Sequence, residues 1–345
     1  MADIRVLPVA ALLLCGCQPR SCRELTAAPK SLSFEKMVLT DGGDPAVWRT
    51  RLADALEEQL RVDKYIGSKR LPVSVLISSG SLPALPGESV ERLAVSNVEI
   101  ESLMDGVRMP LFYVYDRSIA ADHPVDVVVL LHGHGSGGPT VLSMRPALNE
   151  TILRLAASGR VVLVPRIRSL GGFGVGGLSH RAYYRRKKDG EFLKEVMVDT
   201  LSAIRHIRSR FPRTRSMSLV GHSLGGYAAL HLAAVHPAIG RVFVSGLFVS
   251  YACVNSRRHD GCQRFAGLRD QADLFDVAGL VAPRSLLVQY GALDRNYTPA
   301  VDAAFVRTAK IFSRIGGRAE FVLTPDIGHE IAPGAVLDFV GGRSE

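Results

Sequence analysis

The chain has 345 residues, 47% of them hydrophobic and 22% charged, with a formal net charge of +9. This size and apolar content suit one large globular domain with an extension, or two smaller domains, and the lack of any repeat period excludes solenoids and propellers. The nearest approach to a basic run, Arg185-Arg186-Lys187-Lys188, is accompanied by no nucleic-acid motif, so it reads as a solvated loop and implies no nucleic-acid partner.

Met1 to Gly16 carries Arg5 and then an apolar stretch from Val6 to Leu14. The pattern is that of an export signal and is too short to span a bilayer. Leu14-Cys15-Gly16-Cys17 resembles a bacterial lipobox, which makes Cys17 a candidate for lipidation. A periplasmic or cell-surface location follows, with a cytosolic apolar N-terminus as the alternative. In an exported chain, Cys253 and Cys262 are close enough in sequence to form a local disulfide. No cysteine/histidine spacing has the pattern of a zinc site.

Residues 18–40 read as a polar linker. Asp44-Pro45 is an N-cap followed by a first helical position, and Val47, Trp48, Leu52, Ala55 and Leu56 recur at helical spacing, which predicts a helix over 44–66. Pro72, Pro83 and Pro86 break 67–95 into strand fragments and turns. The organisation expected is a signal at 1–16, a linker and helical extension at 17–94, and a catalytic domain at 95–345. That domain opens on a hairpin, 98–103 with 109–115, turned at Asp105-Gly106. Val125 to Leu131 and Arg160 to Pro165 are continuous apolar runs, as buried parallel strands require. Helices are expected at 140–158 and 191–210, with a long Gly/Arg/Tyr loop at 166–190. Further strands at 216–221, 241–246, 285–290 and 319–323 alternate with helices at 224–236, at 299–315 and from about 330. This is an α/β pattern, a mostly parallel sheet covered on both faces.

The run Val220-Gly221-His222-Ser223-Leu224-Gly225-Gly226 places a serine on a sharp turn between an apolar strand and a small-residue helix. Gly221 and Gly225 are the small neighbours such a turn needs. A serine nucleophile requires a base to take its proton and an acid to orient the base. Asp294 follows an apolar strand through Gly291, and His329 lies in the loop after the last strand. Asp326 and Asp302 are alternative acids, and each of these residues also has an ordinary reading as a turn cap or surface group. The stretch Leu131-His132-Gly133-His134-Gly135 can supply backbone N–H groups to a developing oxyanion. A metal at His132 and His134 lacks a third ligand in the sequence, so none is expected. The glycines at 133–138 lack a phosphate-loop lysine.

These segments, with Ile327-Gly328-His329-Glu330 and Leu280-Val281-Ala282-Pro283-Arg284-Ser285-Leu286-Leu287-Val288, resemble α/β-hydrolases of the dienelactone-hydrolase and acetyl-xylan-esterase group over about residues 95–335. The resemblance implies an α/β-hydrolase fold, with Ser223, Asp294 and His329 as triad. It further implies His134 and Leu224 as N–H donors, and ester hydrolysis without a metal or organic cofactor. A serine where dienelactone hydrolases use cysteine favours the esterase branch. The expected activity is a serine carboxylesterase on acyl esters, acetylated carbohydrate among them. The alternatives are a prolyl-oligopeptidase-type serine peptidase and a non-catalytic surface lipoprotein on the same scaffold. The partner expected is a small-molecule or carbohydrate ester, and the sequence leaves oligomeric state open.

Overall fold

The computed structural model describes residues 39, 43–81, 91–135, 137–138, 140, 143–170, 173–251, 261–263, 265, 268 and 272–342. The expected signal at 1–16, Cys17 and the Cys253 half of the expected disulfide lie outside the described residues.

Among the described residues, nine strands form one sheet: β1 (Ser74–Ser81), β2 (Leu93–Glu101), β3 (Arg108–Asp116), β4 (Val125–Leu131), β5 (Val161–Pro165), β6 (Thr214–His222), β7 (Arg241–Ser245), β8 (Ser285–Gly291) and β9 (Arg318–Thr324). Their spatial order is β1-β2-β3-β5-β4-β6-β7-β8-β9. The β1, β2 and β3 pairings and the β3–β5 pairing are antiparallel, and from β5 to β9 every neighbour is parallel. The helices are α1 (Pro45–Leu60), α2 (Asp63–Ile66), α3 (Pro146–Ala157), α4 (His180–Tyr184), α5 (Glu191–Arg210), α6 (Leu224–Val235), α7 (Leu274–Gly279), α8 (Pro299–Ile315) and α9 (Pro333–Gly341).

The strands divide two cores by side-chain alternation. In β4, Val127, Val129 and Leu131 face the larger core under α1, α5, α6, α7 and α8. Val128 and Leu130 face a second core closed by α3 and α9. A strand apolar on both sides is what a doubly covered parallel sheet demands. The α6 helix is buried almost all round, from Leu224 to Ala234, because it lies between the sheet and other helices.

The expected helix over 44–66 divides at Arg61, whose left-handed backbone (φ 50°) ends α1 before the single turn of α2. Asp44 caps α1 by accepting the Ala46 N–H at 2.8 Å, and Pro45 occupies the first helical position. Trp48, Leu52, Leu56 and Leu60 recur at four-residue spacing and bury into the larger core. The expected boundary at 94/95 falls within β2. The segment before it contributes an edge strand and a core helix to the same sheet and core. The loop expected at 166–190 contains α4, capped by Ser179, whose Oγ accepts the Ala182 N–H at 3.3 Å. Among the described residues, no helix is long and apolar enough to cross a membrane.

Candidate active site

The strand ends of a parallel sheet are where open α/β folds place their ligands, and the ends of β4, β6, β7, β8 and β9 converge here. Ser223 follows β6 with φ 55° and ψ −121°, a conformation costly for any residue with a side chain. The turn is enforced by close packing. A Cβ on Gly221 would stand 2.3 Å from the Gly225 carbonyl oxygen, and one on Gly225 would stand 2.1 Å from that of Leu131. The Ser223 N–H donates to the Ser245 carbonyl at 2.7 Å, which ties the turn to the end of β7. Leu224 is the first residue of α6, so its N–H has no acceptor within its own helix. The positive end of the helix dipole therefore faces the space beside the serine.

Asp294 and His329 meet because the β8 and β9 ends are stitched together. Ala292 N–H donates to the Thr324 carbonyl at 2.8 Å and Leu293 N–H to the Ile327 carbonyl at 3.0 Å. The Asp294 carboxylate is buried and accepts twice: Oδ2 from His329 Nδ1 at 2.8 Å and Oδ1 from the Asn296 N–H at 2.8 Å. The His329 ring is partly exposed. Donation from Nδ1 to the Asp294 carboxylate leaves Nε2 as the acceptor, and the Asn296 side-chain amide stands 3.1 Å from the same Nδ1. Gly246 passes beneath this pair with φ 69°, and a Cβ there would lie 2.8 Å from His329 Cε1. The His222 ring packs 4.8 Å from that of His329. Burial first, and then the charge of His329, pushes His222 down to about 3, so it stays neutral beside Ser245 Oγ at 3.0 Å.

Of the alternative acids, Asp302 is engaged by the Tyr297 hydroxyl at 2.9 and 3.1 Å, and burial pushes its carboxyl up. Asp326 occupies a left-handed turn position (φ 59°). Neither borders the cavity of about 460 Å³ that is lined by His134, Ser223, Leu247, Val249, Gln263, Leu293, Asp294, Arg295, Asn296 and His329. That cavity brings Ser223, Asp294, His329 and His134 together. Leu224 adjoins it through Ser223.

The two loop histidines after β4 do different things. His132 is buried, with Nδ1 3.0 Å from the Gly133 carbonyl and Nε2 accepting the Ile167 N–H at 3.2 Å. Burial pushes it down to about 4, and a neutral ring with both nitrogens engaged is a pin for the loop. His134 lies instead against His180 and Cys262. The sequence paired His134 with His132 for a metal and found no third ligand. The fold supplies two different neighbours from residues 46 and 128 positions away.

The loop after β5 is anchored by Arg168, whose guanidinium is buried and forked between two carboxylates. It reaches Asp199 at 2.6 and 2.8 Å and Asp105 at 2.6 and 2.9 Å. Lys187, within the basic run, pairs with Glu195 and stacks 4.7 Å from the Tyr183 ring. Part of that run is thus fixed against α5 rather than free in solvent. Sequence reasoning missed Asn296, His222 and Gly246. Only Asn296 carries a local signal, standing two residues past the acid in the turn.

A family model described as "Alpha/beta hydrolase family" matches residues 128–340. No curated protein matches the sequence. Among solved structures, the chain is similar to an acetyl xylan esterase from Paenibacillus sp. R4, at 16% identity over 89% of this chain and 96% of that one, with a TM-score of 0.55. It is similar to a glucuronoyl esterase from Solibacter usitatus, at 13% identity over 88% and 96%, with a TM-score of 0.63. It is also similar to acetyl xylan esterase 1 from Thermoanaerobacterium sp. JW/SL YS485, at 18% identity over 85% and 92%, with a TM-score of 0.56. At these identities the likeness is one of fold. The family match covers well over half of the chain, and with the sheet order and the strained serine turn it establishes that the chain belongs to the alpha/beta hydrolase family.

Proposed function

We propose that the protein is a serine carboxylesterase acting on acyl esters, with Ser223 as nucleophile, His329 as base and Asp294 as the acid that orients it. The observation carrying this reading is the 2.8 Å contact between Asp294 Oδ2 and His329 Nδ1 on the wall of the cavity that also exposes Ser223.

In this reading Ser223 Oγ attacks the ester carbonyl carbon while His329 Nε2 takes the hydroxyl proton. The carbonyl oxygen becomes an oxyanion, held by the backbone N–H groups of Leu224 and His134. The carbon–oxygen bond to the leaving group then breaks, and the imidazolium returns the proton to the departing alkoxide. Water, deprotonated by the same ring, attacks the acyl carbon; the bond to Ser223 Oγ then breaks, the imidazolium returns the proton to that oxygen, and the carboxylic acid leaves. The Asp294 carboxylate stabilises the imidazolium in both halves. Each oxyanion donor lowers the barrier by about 3 kcal/mol in such sites.

The cavity volume suits a small acyl group with part of its alcohol. Leu247, Val249 and Leu293 offer apolar wall, and Gln263, Arg295 and Asn296 offer polar contacts for a hydroxyl-rich alcohol. The acetyl xylan and glucuronoyl esterases of similar fold support an ester of carbohydrate as substrate class. Export, the reading of residues 1–16, fits a polymeric carbohydrate substrate outside the cell.

The test is a substrate panel on the purified chain: chromogenic acetyl, butyryl and octanoyl esters, acetylated xylan, and aminoacyl and dipeptidyl amides. Ester hydrolysis that is fastest for the short acyl groups is expected. Turnover of amides with none of esters would establish the peptidase alternative instead.

A further inference from the structure

His134, His180 and Cys262 converge beside the proposed active site from three separate segments. His134 lies on the loop after β4, His180 opens α4, and Cys262 lies in a 3₁₀ turn at Gly261–Gln263. One potential ligand atom from each falls within 4.8 Å of the other two. His134 Nε2 stands 3.0 Å from His180 Nε2 and 3.3 Å from Cys262 Sγ. A tetrahedral zinc, with bonds of about 2.0–2.1 Å to nitrogen and 2.3 Å to sulfur, holds such ligands roughly 3.3–3.6 Å apart. The two separations from His134 are each about 0.3 Å shorter than the matching zinc-ligand spacing, and His180 and Cys262 offer their ligand atoms within 4.8 Å of each other.

The tautomer of His180 is fixed by its surroundings. Ser169 Oγ donates to the Arg168 carbonyl at 2.6 Å, so its lone pair is left to accept His180 Nδ1–H at 2.8 Å. His180 Nε2 therefore carries a lone pair, and it points at His134. Metal-ligating histidines are oriented by such a bond from the second ring nitrogen. Arg168, which positions Ser169, is itself locked between Asp105 and Asp199. The ring of His180 is further held edge-on by Phe192 at 5.4 Å.

A hydrogen on His134 Nε2 would be shared between a ring nitrogen at 3.0 Å and a sulfur at 3.3 Å, whereas a cation at the centre accepts a lone pair from all three. We infer that His134, His180 and Cys262 form a binding site for a divalent transition metal of the zinc class, set in the wall of the Ser223 cavity. His134 and Gln263, the residue after Cys262, both line that cavity. Two histidines and a thiolate leave a fourth position open to water or substrate. Binding replaces the thiol proton of Cys262 by the metal and releases one proton per ion. The bound ion ties the loop after β4 to α4 and to the 3₁₀ turn. The inference does not depend on the esterase reading, since metal binding is measured without turnover.

The test is titration of Co²⁺ into the purified, chelator-stripped full chain, followed by visible and near-ultraviolet absorbance. One equivalent should bind, with d–d bands of tetrahedral intensity and a sulfur-to-cobalt charge-transfer band, and Zn²⁺ should displace it. Cys262→Ser should abolish the charge-transfer band, and His180→Ala should abolish stoichiometric binding. Ser169→Ala, which removes only the orienting bond, should weaken affinity by about 10- to 100-fold. Cys262→Ala and His180→Gln replace the first variants if circular dichroism shows either to be unfolded. Lack of stoichiometric binding by the wild-type chain, or an unchanged cobalt spectrum in folded Cys262 and His180 variants, would overturn the assignment.

Discussion

Asp294 Oδ2 lies 2.8 Å from His329 Nδ1, across the ends of two neighbouring parallel strands and 35 residues apart in sequence. The carboxylate is almost fully buried while the ring is partly exposed. That asymmetry suits an orienting acid behind a base that must reach substrate. It distinguishes Asp294 from Asp302, which is committed to the Tyr297 hydroxyl, and from Asp326, which does not border the cavity.

The three aspartates should therefore separate by kinetics. Asp294→Asn keeps the shape but presents an amide to His329 Nδ1, which favours the wrong tautomer. In serine triads that change lowers kcat on the order of 10⁴-fold. Asp302→Asn and Asp326→Asn should stay within about threefold of wild type, because neither touches the base. Steady-state rates on a chromogenic acetyl ester decide this. An Asp326 variant as impaired as Asp294→Asn would move the acid to that position.

Arg168 is expected to be a stability residue. Arg168→Met removes the cation from between Asp105 and Asp199 and strands a buried carboxylate that burial already pushes up. Breaking a buried pair in this way costs about 3–5 kcal/mol. Denaturant unfolding should show that loss. Restoring stability with a second change, Asp199→Leu, would tie the cost to the stranded charge. A loss below about 1 kcal/mol for Arg168→Met would contradict the pairing.

Acid should destabilise the fold before it protonates ordinary carboxylates. Burial pushes His132 and His231 down to about 4 and His222 down to about 3. Unfolded histidine titrates near 6.5. Below about that pH the unfolded chain binds protons that the folded chain refuses, so stability falls as pH falls toward 4. Between pH 6.5 and 5 each such histidine contributes a loss of up to about 2 kcal/mol. Asp276, pushed up to about 6 by burial, works in the opposite direction, as do Glu57, Glu195, Asp199 and Asp302, whose carboxyls burial also raises, while burial of His206 and His236 adds to the histidine side. Unfolding free energies at pH 7 and 5 check the net sign, and equal values at the two pH values would contradict it.

Much of the sheet was legible because buried parallel strands leave unbroken apolar runs. The 125–131 run coincides with β4, the 160–165 run overlaps β5, and the Asp105-Gly106 hairpin joins β2 and β3. The serine turn was legible because its glycines are sterically obligatory. The edge strand β1 was legible only as one of the strand fragments expected within 67–95. Leu76 and Ile77 are exposed there, and the strand is held by backbone pairing to β2 rather than by a buried face. Helix α4 was hidden because five residues show no periodicity and its cap sits within a Gly- and Arg-rich stretch. The approach of His180 and Cys262 to His134 was invisible for a different reason. It is produced by the packing of three loops on a finished sheet, and no local pattern encodes it.

The central claim is that Ser223 is the nucleophile. Reaction of the pure chain with a fluorophosphonate, followed by digestion and mass spectrometry, tests it most directly. A single phosphonyl adduct on Ser223 is expected, lost in Ser223→Ala together with hydrolysis of a chromogenic acetyl ester. Undiminished labelling or hydrolysis by folded Ser223→Ala would contradict the claim.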